Sequence, residues 1–436
     1  MSYLPSPLPE IDPQQDFNVV LAGNEAEGRG GHIRDALIYS ALLGKSIRIE
    51  STQDDQSGTG GLRSEHIVTV ETLAFLCDAM VIGNLQRSQV LHFCPYEADY
   101  KQNLSPYPGL TIDLKGAASI PLIALLPYFL FSHLSPRTCA GYHIPKEGII
   151  LTIKAGTLTE KAPSFHYVAH VLLPTLKFIG LAGHIELDRV YKQGWHTQSA
   201  TCRGLLKAWV KPLSKPLPAF QLLQRGKLVK ITAIATVPSP HLLMRGRTFG
   251  QILEEQFENV IPRRIKSSPR LPTVEITVNA SNQPSQYHLF LSAHTISPES
   301  HLGYEQVYPQ PGVFPPELEL EGEERRCYFF IRACIKGLRD ELLKGSAVDE
   351  HMADILTPYR VLAAGFSTIG LHSEAGATYK NGNLLRADID EEFELRTASF
   401  GRKTSRWLAE ETTGAKFKDH HGSYETCYGI GLGHGE

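Results

Sequence analysis

The sequence predicts an α/β protein: a large domain of three repeated sheet-plus-two-helix units, with a smaller inserted α/β domain. Three observations carry this. Strand-like alternation and helix-like spacing take turns along the first half of the chain. The same rhythm returns twice, the second time near the end. Between the second and third units lies a segment of different texture, with its own strands, a Pro- and Glu-rich loop and one long amphipathic stretch. A chain of 436 residues is long enough for two such domains.

Residues 1–16 are Pro-rich and polar and read as a loose tail. Phe17 to Leu21 is apolar and β-prone, a strand. Residues 33–43 place Ile33, Leu37 and Ala41 on one helical face. Ser46 to Glu50 alternates as a strand does. Residues 65–80 give a second helix with Ile67, Val70, Ala74 and Cys77 as its buried stripe, and Val90 to Cys94 another strand. Helices at 117–132 and 165–179 flank the strand Ile149 to Ile153. Helices at 349–364 and 403–411 flank strands near 393–397 and 415–418. The large domain is therefore assigned to 17–213 and 345–436, and the inserted domain to 214–344. In the insert, Lys227 to Ile234 and Val274 to Val278 read as strands and 248–259 as a helix. A loop is expected over 303–322, and helix 326–344 closes the segment.

Composition excludes several classes. With 42% apolar and 20% charged residues the chain can bury a sizeable core. A balance of 43 basic and 46 acidic residues means that any nucleic-acid site is a local basic groove. Seven cysteines show no C-x-x-C pair. Cys327 and Cys334 share a helical stripe with Ile331, Leu338 and Leu342, which makes them core residues, and the odd count suits a reducing compartment. Met1 to Pro5 lacks the basic start and apolar run of a signal peptide. The most apolar stretch, Ile120 to Phe131, is too short to span a bilayer and contains Pro121 and Pro127; it reads as a buried helix, and no membrane partner is expected.

Three segments carry chemistry-bearing residues. Glu27-Gly28-Arg29-Gly30-Gly31-His32-Ile33-Arg34 is a glycine turn entering a helix, where backbone N–H groups can approach phosphate. Gly61-Leu62-Arg63-Ser64-Glu65-His66 enters the second helix. Ala347 to Asp354 opens a later one, with His351 and Asp354 three apart and so expected on one face. Read by residue type alone, the last is equally a helix N-terminal charge cluster. Arg263, Arg264, Lys266 and Arg270 form a basic cluster that reads as a solvated loop. His420 and His421 have no partner at zinc spacing.

Taken together and in this order, the three segments resemble the RNA 3′-terminal phosphate cyclase family, over roughly 17–213 and 345–430. Ala155-Gly156-Thr157 with Ala162-Pro163-Ser164 adds to the likeness. The resemblance implies a reaction in which ATP turns a terminal 3′-phosphate of RNA into a 2′,3′-cyclic phosphodiester. A histidine nucleophile carries AMP, and a divalent metal assists. By the same resemblance Glu27 is a metal ligand or orients a basic side chain. Gly28, Gly30, Arg34, His66, His351 and Asp354 lie about the nucleotide and its phosphates.

The sequence also departs from the family pattern. Arg29 stands where the family prefers glycine and Gly31 where it prefers glutamine; Glu65 replaces a glutamine. Asp54 and Asp55 occupy a loop that is otherwise arginine-bearing, and a triple glycine is missing from Gly194-Trp195-His196-Thr197-Gln198-Ser199-Ala200. Above all, aligning Ser399 to Ser405 with the nucleophile motif puts Gly401 at the histidine position, and glycine offers no nucleophile. His372, His420 and His421 are replacements by sequence only. Three readings follow. One is a cyclase-like RNA-processing protein that has lost the histidine step. The second is an active ATP- and metal-dependent cyclase with a displaced nucleophile. The third is a protein-interaction scaffold in ribosome biogenesis. Partners on these readings are RNA with a 3′-phosphate end, or pre-ribosomal RNA and assembly proteins; family role implies the nucleus.

Overall fold

The computed structural model describes residues 19–21, 31–50, 61–96, 108–136, 144–160, 162–188, 192–195, 203–241, 246–260, 272–296, 299–308, 323–370, 400–420 and 424–433. Among these the strands form four four-stranded sheets. The first holds β1 (Val19–Leu21), β2 (Ile47–Glu50), β3 (Met80–Ile82) and β4 (Val90–Cys94) in the order β1-β2-β4-β3. Its helices are α1 (Gly31–Leu43) and α2 (Ser64–Leu76). Because α1 carries the chain back across the sheet, β1 and β2 run parallel. The second holds β5 (Gly109–Ala117), β6 (Ile149–Gly156), β7 (Ile185–Leu187) and β8 (Gly204–Val210) in the order β5-β6-β8-β7, and α3 (Ser119–Phe131) links β5 to β6.

After β9 (Gln221–Leu222) the chain builds a separate sheet. It comprises β10 (Lys227–Val237), β11 (Thr273–Ala280), β12 (Tyr287–Ile296) and β13 (Ser300–Tyr308) in the order β11-β10-β12-β13. Strand alternation sends Leu289, Leu291 and Ala293 to one face, where they enclose a core with Leu253 of one helix (Phe249–Val260) and Phe330, Ile331 and Leu338 of another (Glu323–Leu343). Cys327 and Cys334 lie in this core, as their spacing predicts. The chain then returns through two short helices (Glu350–Ile355 and Thr357–Leu362), β14 (Ala364–Gly370), a last helix (Phe400–Thr413), β15 (Lys416–His420) and β16 (Tyr424–Ile430). These strands complete the third sheet, β15-β16-β14-β9. The largest core joins all three units, from Leu37 and Phe93 through Leu125 and Ile153 to Tyr359 and Leu408.

The α/β class is as expected, and several local expectations change. The helix expected over 65–80 stops at Leu76, and Met80–Ile82 turns back as a strand. The stretch 165–179 is not one regular helix. Wider π-helical turns at Val168–Leu172 and Lys177–Leu181 flank Leu173–Leu176, where Pro174 supplies no N–H to the usual ladder. The helix expected over 349–364 breaks before Pro358, which sits in the first turn of the next helix, where a proline loses nothing. Residues 303–308 of the expected loop belong to β13. The strand near 393–397 lies outside the described residues, as does the basic cluster from Arg263 to Arg270. Helix α3 is buried along nearly all its length, and among the described residues no helix is long and apolar enough to cross a membrane.

Two polar assemblies join these parts. Arg360 is buried with its Nη1 2.5 Å from Glu425 Oε1 and its Nη2 3.0 Å from the Glu425 carbonyl. Its guanidinium lies over the Phe417 ring, and Arg406 of the last helix pairs with the same carboxylate. Elsewhere, the outer face of the β10–β13 sheet meets residues 164–172. Ser164 donates its amide (2.7 Å) and hydroxyl (2.5 Å) to Glu305, and His288 Nε2 lies 3.2 Å from that carboxylate.

Candidate functional site

The site is built where four helices bring their polar ends together. Gly61 sets the entry to α2: its φ is +95°, and a Cβ there would lie 2.4 Å from the Arg87 backbone, so only glycine fits. The chain then reaches Arg63, whose backbone N–H donates to His66 Nδ1 at 3.4 Å. That bond uses the Nδ1 lone pair and leaves the proton of the neutral ring on Nε2. Burial, with the positive charges of Arg34 and Arg63, drives the His66 pKa down to about 3. His66 is therefore a neutral N–H donor near neutral pH.

Helix α1 supplies Arg34 and Asp35. The Arg34 guanidinium reaches back over the helix start; a Cβ on Gly31 would touch its Nη2 at 3.5 Å. Burial lowers its pKa, and the charges of Asp35 and Asp354 oppose that fall. Asp35, next to Arg34 in sequence, carries a strongly perturbed carboxyl. Burial pushes it up to about 7, against the pull of Arg34 and a hydrogen bond from Ser405, with Asp354 adding to the rise. Ser405, on the last helix, also lies 3.3 Å from His32 Nδ1. When its hydroxyl proton goes to ionised Asp35, its oxygen accepts from His32 Nδ1–H, which leaves the ring's lone pair on Nε2.

Of the residues nominated from sequence, His66 and Asp354 each lie within range of the Arg34 charge. His351 stands apart: its exposed ring packs edge-on to Tyr167 at 6.3 Å, and its charge acts on Asp349. A six-residue helix with i, i+3 spacing turns the two side chains to different neighbours. Glu27, Gly28 and Gly30 lie outside the described residues, as do His372 and His421. His420 stacks on Tyr424 and bonds Thr426 within its own sheet. Glu65 lies against Gly116, where any side chain would collide with it. Gly194 is locked to Thr157 in both directions, and Trp195 Nε1 donates to Asn282 at 2.8 Å, so this stretch is a bonded corner.

Chemically, the cluster offers one half-buried guanidinium and the first-turn N–H groups of two thirteen-residue helices, a setting that favours oxyanions. The Asp35 and Asp354 carboxylates are oxygen donors of the kind a hard divalent cation takes.

The fold defines an α/β protein of sheet-and-helix units around one large core, with a charged cluster where the first and last helices meet. A family model described as RNA 3′-terminal phosphate cyclase matches residues 25–395. The chain is 27% identical over 360 residues to an RNA 3′-terminal phosphate cyclase of Staphylothermus marinus, covering 81% of this chain and 87% of that protein. Against the Methanosarcina mazei protein of the same name it is 23% identical over 415 residues, covering 94% and 100%. The chain belongs to the RNA 3′-terminal phosphate cyclase family. Gly401 falls beyond the matched residues.

Proposed function

We propose that this chain is a cyclase-like RNA-processing protein that binds RNA 3′ ends and has lost the covalent histidine step. One observation carries the reading. Gly401 lies in the first turn of the helix Phe400–Thr413, one turn ahead of Ser405, which bonds Asp35 and His32 in the cluster. On this reading the position aligned with the nucleophile shares a helical face with Ser405 and brings no imidazole to the cluster.

The residues present fit a nucleotide's phosphates and a divalent cation. Arg34 would neutralise phosphate charge, His66 would donate from Nε2, and Asp354 with Glu27 would hold the metal. ATP, when bound, would supply an activated phosphate. On this reading Gly28 and Gly30 give the backbone approach to phosphate, and His351 lies toward the rim. Residues 214–344 are read as an inserted domain against which the RNA-bearing unit is braced. The partners would be RNA with a 3′-phosphate end, or pre-ribosomal RNA and assembly proteins in the nucleus.

A second reading, an active cyclase, is favoured by His32. Its ring lies inside the cluster with a lone pair on Nε2, the form a nucleophile needs. Incubation with α-labelled ATP, magnesium and an RNA ending in 3′-phosphate separates the two. No label on folded protein and no cyclic end, with retained RNA binding, supports the first reading. Covalent label that vanishes in His32→Ala supports the second. No binding of RNA at all would leave a protein scaffold.

A further inference from the structure

We propose that His294, Glu299 and His301 form a binding site for a divalent transition-metal ion, zinc by its donor set, at the tip of the β12–β13 hairpin. His294 and His301 are directly opposite in the antiparallel register, and Glu299 lies in the turn that joins the strands. One donor atom from each of the three falls within 4.8 Å of the others. His294 Nε2 lies 3.4 Å and His301 Nε2 3.2 Å from the same oxygen, Glu299 Oε1. Bonds of about 2.05 Å at tetrahedral angles place neighbouring donors about 3.3 Å apart, so both separations match the edges of a zinc polyhedron.

The two rings stack at 4.6 Å, nearly parallel. His294 Nε2 is buried and has no hydrogen bond of good geometry, although it faces the carboxylate. Lys230, opposite His294 in the sheet, is held by Glu275 at 2.6 Å. His170, on the helical segment that packs against β13, lies outside this group of three, so water would complete the coordination. Binding tilts the parallel rings so that both lone pairs converge on the ion. The site lies on the β10–β13 sheet, none of whose residues belongs to the Arg34 cluster, and does not depend on the function proposed there.

The test is titration of the full chain with Co²⁺ in the absence of nucleotide, followed by Zn²⁺. Four-coordinate Co²⁺ should give visible absorption at one equivalent, and Zn²⁺ should displace it. His294→Ala/His301→Ala, checked for folding by circular dichroism without metal, should lose the signal, whereas Asp354→Asn should keep it. Loss of the signal only in Asp354→Asn would place the ion in the cyclase cluster and overturn the proposal. So would an absence of binding by the unaltered chain, which would leave Glu299 as a hydrogen-bond acceptor for a histidine pair. Glu299→Gln offers a milder variant: it should weaken Co²⁺ binding while unfolding like the parent.

Discussion

The hydroxyl of Tyr167 donates to Asp349 Oδ1 at 2.6 Å, although 182 residues separate them in sequence. The same carboxylate receives the amide of Met352 (2.9 Å) as a helix cap and the amide of Gly303 (2.8 Å) from β13. One buried side chain thus joins the second unit, the β10–β13 sheet and the third unit. A Cβ on Gly303 would lie 2.8 Å from the Tyr167 ring, so the strand must be bare there. Asp349→Ala leaves three buried donors without their acceptor and should cost about 3–5 kcal/mol in urea unfolding. Tyr167→Phe should cost nearer 1 kcal/mol. Equal costs would show that the carboxylate is not the hub.

Asp35 and His66 give opposite pH dependence. Asp35 has a folded pKa of about 7, above the ordinary carboxylate value of 3.8. Its contribution is full below that ordinary value and is lost as pH rises through 7. His66 has a folded pKa of about 3, below 6.5. Its contribution is present above 6.5 and is lost as pH falls toward 3. Stability measured between pH 4 and 8 should therefore lose its falling limb in Asp35→Asn and its rising limb in His66→Gln. A profile unchanged by both substitutions would mean that neither group is buried in the folded protein.

Arg34 is the half-buried cation of the cluster, and the phosphate reading leans on it. Arg34→Ala should weaken binding of RNA ending in 3′-phosphate by about 10- to 150-fold, the range of hydrogen bonds to charged groups. The same RNA ending in a hydroxyl should bind the two proteins alike. Fluorescence anisotropy with both RNAs reads this directly.

Gly401 permits a gain-of-function experiment. Placing an imidazole there, Gly401→His, should introduce acid-labile label from α-labelled ATP where the parent has none. A folded, RNA-binding Gly401→His protein that takes no label would mean that position 401 does not reach the nucleotide.

Much of this architecture could be read from local pattern, and the failures have physical causes. Leu289 and Leu291, or Ile331 and Leu338, announce their cores because strand and helix periods repeat over short range. The α1 stripe was read as Ile33, Leu37 and Ala41, yet Asp35, Ile38 and Tyr39 are buried too. The helix is covered on more than one side, by α2, α3 and the last helix, and the last of these lies far along the chain. In sequence Asp35 beside Arg34 looks like half of a solvated charge pair; burial under the last helix makes it otherwise. Residues 303–308 read as loop because their polar side chains, Glu305 above all, face a polar seam instead of water. Gly303 carries no side chain to signal the ring it admits.

The contact between His32 and Ser405 spans 373 residues of sequence. At ribosomal speeds of about 5–20 residues per second, the first helix waits roughly 20–75 s for the partner that covers it. During that interval Arg34, Asp35 and Tyr39 face solvent or a chaperone. A chain interrupted anywhere before the last helix carries the phosphate-facing residues but not the surface that buries them. The cluster is thus a late product of synthesis, and a nascent chain can be sorted by whether it has closed.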